Sequence, residues 1–217
     1  MLVSMWMTRQ VVTVTPDTAL RDAARLLSED RIRRLPVVQQ FAGDEVVVGL
    51  LSKTDLLHAY PADVNPSRGA PFTGMEDLPS VGEVMSSPVV SIAPNAPLEE
   101  AALLMRSRKI GALVVLSEGE LVGIITESDI FDAFARLLSG GQNPVRVTFD
   151  GLREDLDGFV ERVARAARDT QMRIASLVSF EWKERQRAVV RAVGESPDEF
   201  IQEIRDSGYR VLDIRRD

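Results

Sequence analysis

The feature that most constrains this 217-residue chain is an internal repeat. Met7, Val11, Val12 and Pro16 recur as Met85, Val89, Val90 and Pro94, at an offset of 78. Leu20, Ala23, Ala24, Leu26, Ile32 and Val37 recur at the same offset as Leu98, Ala101, Ala102, Leu104, Ile110 and Val115. The offset then falls to 74, laying Gly49-Leu50-Leu51-Ser52-Lys53-Thr54-Asp55 over Gly123-Ile124-Ile125-Thr126-Glu127-Ser128-Asp129. The shared positions are mostly apolar and follow helix and strand periods, so they mark the core of two copies of one unit. The shorter turn Ser117-Glu118-Gly119-Glu120, against Gln39 to Glu45, is expected to account for the change in offset.

Each copy reads β-α-β-β-α. In the first, Val11-Val12-Thr13-Val14 predicts a short strand. Pro16-Asp17-Thr18 then opens a helix with Leu20, Ala23, Ala24, Leu26 and Leu27 near one face. Leu35 to Val38 and Val46 to Ser52 predict a hairpin turning at Gly43-Asp44, and a helix follows from Lys53 to His58. The second copy opens on Ser80 and Glu83, spaced as a capping box with Val81, Val84 and Met85 behind it. One such unit buries its sheet face poorly alone. Two copies are expected to pack about a pseudo-twofold axis, with a cleft at each Ser/Thr-x-x-Asp segment.

That segment carries the chemistry. A strand running into a helix presents free N–H groups and the positive end of the helix dipole. The hydroxyls of Ser52, Thr54, Thr126 and Ser128 can cap the helix or hold a phosphate. Asp55 and Asp129 can cap it as well, or accept two hydrogen bonds from a ribose diol. Position alone favours the cap, and the repetition favours a site. Arg33-Arg34 reads equally as a solvated pair or a phosphate contact.

The totals exclude several functions. Net charge is −7, so no basic footprint for nucleic acid exists at whole-chain level. No cysteine is present, which removes thiol catalysis, thiolate metal sites and disulfides. The single histidine, His58, cannot build a histidine metal site or a Ser-His-Asp triad, and reads as structural or solvent-facing. No catalytic residue, metal or required cofactor is expected. No apolar run reaches membrane-spanning length and no signal peptide is visible, so a cytoplasmic protein without membrane contact is expected.

Tyr60 to Pro79 is rich in proline and glycine and reads as a linker, and Ser139 to Pro144 reads as a domain boundary. Beyond it the pattern changes. Val145 to Phe149 alternates as a strand, and Leu156, Phe159, Val160, Val163, Ala164 and Ala167 form a helical stripe. Arg173 to Glu181 and Gln186 to Val193 predict a hairpin whose turn holds the charged run 181–187. Pro197 starts a helix that Gly208 stops, and Tyr209 to Ile214 closes the tail as a strand. The order is β-α-β-β-α-β, which is ferredoxin-like. Trp6 and Trp182 read as packing residues, and Asp150-Gly151 first as a turn.

On the doubled Gly-x-x-[Ser/Thr]-x-x-Asp, the Val-Val-x-x-x-Pro opening and Ile32-Arg33-Arg34-Leu35-Pro36-Val37-Val38, residues 1 to 138 resemble a tandem pair of CBS domains, a Bateman module. The tail resembles an ACT-type regulatory domain through its element order and Asp150-Gly151-Leu152. The order CBS-CBS-ACT is similar to bacterial acetoin-utilisation B-type proteins and other CBS-ACT proteins. The implied fold is α/β (α+β): CBS units at 1–60 and 80–139 joined by a linker at 61–79, then the ACT-like domain at 143–217.

The implied function is regulatory and non-enzymatic, with AMP, ADP, ATP or S-adenosylmethionine bound between the units. The resemblance assigns Asp55 and Asp129 to ribose, and Ser52, Thr54, Thr126 and Ser128 to ribose or phosphate. It places Thr13 and Ser91 near the adenosine group, Ile32 and Ile110 against the base, and Arg33 and Arg34 on phosphate. The second copy departs with Gly111-Ala112 in place of the basic pair, so the two clefts should differ. Asp150, Gly151 and Leu152 would form an amino-acid-binding loop, and the chain would form a homodimer. The competing reading is a dimerisation or interaction scaffold whose ligand is an amino acid or protein partner at the tail.

Overall fold

The computed structural model describes residues 1–59, 79–139, 144–150, 152 and 156–216. The expected linker, Gly151 and most of the glycine-rich boundary lie outside the described residues. Contacts divide the chain into two units, Met1–Phe131 and Asp132–Asp217. The division falls inside a helix, upstream of the Ser139 to Pro144 boundary read from composition.

The first unit holds both copies. The first copy has α1 (Leu20–Glu29), β1 (Arg34–Phe41), β2 (Asp44–Ser52) and α2 (Lys53–Ala59). The second has α3 (Val81–Val84), β3 (Ser91–Ile92), α4 (Leu98–Arg108), β4 (Ala112–Ser117), β5 (Glu120–Thr126) and α5 (Glu127–Ser139). The capping box at α3 forms as its spacing requires: Ser80 N–H donates to Glu83 Oε2 at 2.7 Å. α1 buries Leu20, Ala23 and Leu27 against Leu35, Val37 and Leu51 of the hairpin. The 3.6-residue period of the helix and the 2-residue period of the strands meet there.

Two details differ from the sequence reading. Val11 to Val14 does not form a strand. Only Val14 bridges β1, parallel to Val37, whereas the equivalent place in the second copy is the two-residue β3. A segment with one ladder partner and half-exposed flanks gains few backbone hydrogen bonds. The hairpins also turn on two residues in both copies, Ala42-Gly43 and Glu118-Gly119, all four with positive φ. Positive φ at both central positions matches the twist of the flanking strands. The change in offset therefore comes from strands, since β1 and β2 are 8 and 9 residues where β4 and β5 are 6 and 7.

The copies are tied together by exchanged opening segments. Thr8 and Ile124 trade backbone hydrogen bonds at 2.9 and 3.0 Å, and Ser86 and Leu50 do the same at 3.0 Å each. Val3 N–H donates to Ala96 and Ser4 N–H to Pro94, while Val81 donates to Thr18 and Gly82 to Pro16. Every bond of the first set has its equivalent in the second, which is the signature of a pseudo-twofold axis. Met7 lies over Gly123 and Met85 over Gly49, where a Cβ would run into the thioether. Glycine is needed at both places because the other copy's methionine occupies the side-chain volume.

The second unit contains β6 (Val145–Asp150), α6 (Leu156–Asp169), β7 (Arg173–Trp182), β8 (Arg185–Val193), α7 (Pro197–Asp206) and β9 (Arg210–Arg216). The β-α-β-β-α-β order matches the sequence reading. The sheet runs β7-β8-β6-β9 with every pair antiparallel. Phe149, Val147, Val190 and Ala192 pack on Phe159, Val163, Phe200 and Ile204 in one core.

Candidate functional site

β2 and β5 each run without a break into a helix, and each junction is closed by its own hydroxyl and aspartate. Ser52 N–H donates to Asp55 Oδ2 at 2.7 Å, and Asp55 N–H returns to Ser52 Oγ at 3.2 Å. In the second copy Thr126 N–H and Oγ1–H donate to Asp129 Oδ2 at 2.8 and 2.7 Å. Both aspartates are therefore helix-capping residues in fact, and their acidic charge suits the first helical turn. Both side-chain bonds of Asp129 fall on Oδ2, so Oδ1 is uncommitted among the described residues.

A cleft of about 230 Å³ opens at the α5 junction. One wall is apolar, from Val11, Val12 and Ile32 of the first copy with Ile124 of the second. The other is polar, from Thr126, Glu127, Ser128 and Asp129. Arg31, Arg33 and Arg34 also line it. Each copy thus contributes half of the cleft. The reason lies in the fold, since exchange of the opening segments carries Thr8 to Val12 alongside β5.

The arginines are placed by specific contacts. Arg33 Nη2 donates to Ser128 Oγ at 3.4 Å. Arg34 lays its guanidinium over Gly111, where any Cβ would collide with it, and Glu127 Oε2 lies on the same glycine, 2.9 Å from that Cβ position. The second copy's departure from the basic pair thus has a steric consequence: Gly111 leaves room for the first copy's arginine. Burial lowers the Arg34 guanidinium from its ordinary value, with Glu127 opposing that shift, Arg33 adding to it and Asp55 opposing it. An arginine keeps its charge through such a shift. The result is a desolvated, planar cation beside a helix N-terminus, a combination that binds oxyanions.

Of the residues singled out from sequence, Ile32, Arg33, Arg34, Thr126, Ser128 and Asp129 line this cleft together. Thr13 does not; its neighbours Val11 and Val12 do. Ser52, Thr54, Asp55, Ser91 and Ile110 belong to the symmetry-equivalent positions and not to this cleft. Sequence reasoning missed Thr8, Gln10, Arg31, Gly111 and Glu127. Arg31 carried a signal, because it overlays Lys109 and both adopt positive φ after a helix.

In the tail, the suggested ligand loop is occupied by structural contacts. Asp150 is buried, with Arg185 Nη1 on Oδ2 and Arg187 Nε on Oδ1, both at 3.1 Å. Burial would raise its carboxyl, but the hydrogen bonds and charges of Arg187 and Arg185 outweigh this and hold it below the ordinary value. Leu152 is fully buried in the core, and its N–H donates to Gln186. Gly151 lies outside the described residues.

Comparison with known proteins bears on the repeated part of the chain. The CBS domain model matches residues 3–62 and 81–136, more than half of the chain. The CBS domain-containing protein YhcV of Bacillus subtilis is 33% identical over 124 residues, covering 57% of this chain and 79% of YhcV. The crystal structure of a protein assigned to acetoin utilization (AcuB), from Vibrio cholerae, is 33% identical with a TM-score of 0.51, over 64% of this chain and 93% of that one. The CBS domain pair of protein MJ0100 has the same fold at 21% identity and a TM-score of 0.52, over 63% of this chain and 97% of that one. The chain belongs to the CBS-domain family and carries a tandem CBS pair.

Proposed function

We propose that the CBS pair is a regulatory, non-enzymatic sensor that binds an adenosine nucleotide in the Asp129 cleft. The observation that carries this reading is the convergence of an apolar wall, a helix N-terminus, an uncommitted carboxylate oxygen and three arginines in one cavity. The base would lie against Ile32 and the valines, the ribose diol on Asp129, and the phosphate on Arg33, Arg34 and Ser128. MJ0100 was solved with 5′-methylthioadenosine and S-adenosyl-L-methionine, which places adenosyl compounds on the panel to be tested.

The tail, in this reading, is an ACT-type domain that acts as relay or second sensor. Its β-α-β-β-α-β order and β7-β8-β6-β9 sheet support that assignment. A homodimer through the CBS helices completes the proposal. Leu57 and Phe131, at equivalent positions on α2 and α5, are both exposed and supply apolar surface for it. Regulation would arise from unequal nucleotide affinity for two arrangements of the units.

The test is calorimetric titration of ligand-stripped protein with AMP, ADP, ATP and S-adenosylmethionine. Micromolar binding, worth about 8 kcal/mol, is expected for one nucleotide. A folded protein that binds none of them refutes the sensor reading.

A further inference from the structure

The cleft contains a charge that a simple phosphate grip does not need. Glu127 is the first residue of α5, lines the cavity and lies with Arg34 over Gly111. Its backbone N–H donates to Gly111 O at 3.2 Å, but its carboxylate accepts no hydrogen bond from a described residue, and unlike Asp129 it has no capping task. We infer that Glu127 is a specificity-determining residue that makes this cleft select a nucleoside monophosphate over the corresponding di- and triphosphate. The inference rests on the nucleotide reading above and adds the class of nucleotide.

The argument is electrostatic. Arg31, Arg33 and Arg34 share the lining with Glu127 and Asp129, so the carboxylates leave only one positive charge uncancelled. A single phosphate already exceeds that charge, and each further phosphate would be desolvated with no counter-charge to offset it. One phosphate group bears a charge between about −1.5 and −2 near neutral pH. A triphosphate bears roughly twice that, so its repulsion from a fixed carboxylate is roughly doubled at equal distance. Glu127 also draws on the Arg34 field that a second or third phosphate would need. The chain contains its own contrast: at the equivalent position of the first copy stands Lys53.

The experiment titrates ligand-stripped, full-length wild type, Glu127→Gln and Glu127→Lys with AMP, ADP and ATP, magnesium being chelated throughout. Lys53→Glu serves as the control at the equivalent position, and thermal melting checks folding. Wild type should bind AMP tightest and ATP weakest. Glu127→Gln should tighten ATP about 10-fold and AMP about 3-fold, and Glu127→Lys should widen both gains. Lys53→Glu should leave the order unchanged. A wild type that prefers ATP, or a Glu127→Gln variant that shifts all three nucleotides equally, overturns the inference. Failure of folded wild type to bind any adenine nucleotide overturns the sensor reading and this inference with it.

Discussion

The two strand-to-helix junctions of the CBS pair are built alike and equipped differently. Both are closed by a hydroxyl and an aspartate three residues on, and both lie beside the other copy's opening segment. The Asp129 junction has Arg31, Arg33 and Arg34 in its cleft. At the positions equivalent to those arginines the second copy has Lys109, Gly111 and Ala112. Symmetry of the backbone therefore coexists with asymmetry of charge. The cap is a property of the fold, and whatever binds is set by side chains that the cap does not need. The difference also shows that the copies are not redundant: Gly111 gives up a basic side chain and thereby admits Arg34.

The largest effects should come from the side chains that line the Asp129 cleft. Arg33→Ala should weaken nucleotide binding by about 10- to 100-fold, the worth of a charge-assisted hydrogen bond, while melting is almost unchanged. Titration calorimetry on the folded variant checks this, and an unchanged affinity would erase the asymmetry. The aspartates form a matched pair. Asp55→Ala and Asp129→Ala should each cost about 1 kcal/mol of stability through loss of the cap, while only Asp129→Ala should abolish nucleotide binding. Equal binding losses would mean that the clefts are equivalent after all.

A smaller, purely structural contrast lies at the exchanged methionines. Gly123→Ala should destabilise by about 1–3 kcal/mol, because its Cβ would meet the Thr8 backbone oxygen at 2.9 Å as well as Met7. Gly49→Ala should cost less, since the atoms in its way belong to the flexible Met85 side chain. Denaturant midpoints of the two variants would rank them, and the reverse order would contradict the packing described for the opening segments.

The smallest expected effect separates a capping carboxylate beside a cleft from one closed by arginines. The Asp150 carboxyl is depressed, so its contribution is present above the ordinary value near 4 and is lost as pH falls through the lower folded value. The stability gap between wild type and Asp150→Asn should be constant at neutral pH and close only in strong acid. A gap that already narrows between about pH 5 and 7 would show that the arginine contacts do not hold.

Much of this was legible in sequence, and the rest was not, for a physical reason. Local signals worked where the energetics are local. Ser80 and Glu83 announced a cap four residues long, and the tail's periodicities gave its element order. The 78-residue offset announced the two copies. What sequence did not give was the assembly of the cleft from both copies, because no periodicity records which opening segment lies beside which strand. Gly123 is a plain strand glycine until Met7 is seen over it. Val11 to Val14 looked like a strand because it is mostly apolar and β-branched, yet Val11 and Val12 line a cavity and only Val14 joins the ladder. Asp150-Gly151-Leu152 looked like a loop motif, but Leu152 is core and Asp150 is held by two arginines of β8.

The claim on which the account turns is that one of two symmetric junctions is the working site. Binding stoichiometry and affinity, measured calorimetrically on ligand-stripped wild type, Asp55→Ala and Asp129→Ala side by side, test it most directly. The account predicts one tight nucleotide site per chain, retained in Asp55→Ala and lost in Asp129→Ala, with both variants equally folded. Two equal sites per chain, or a tight site that survives Asp129→Ala and disappears in Asp55→Ala, would contradict it.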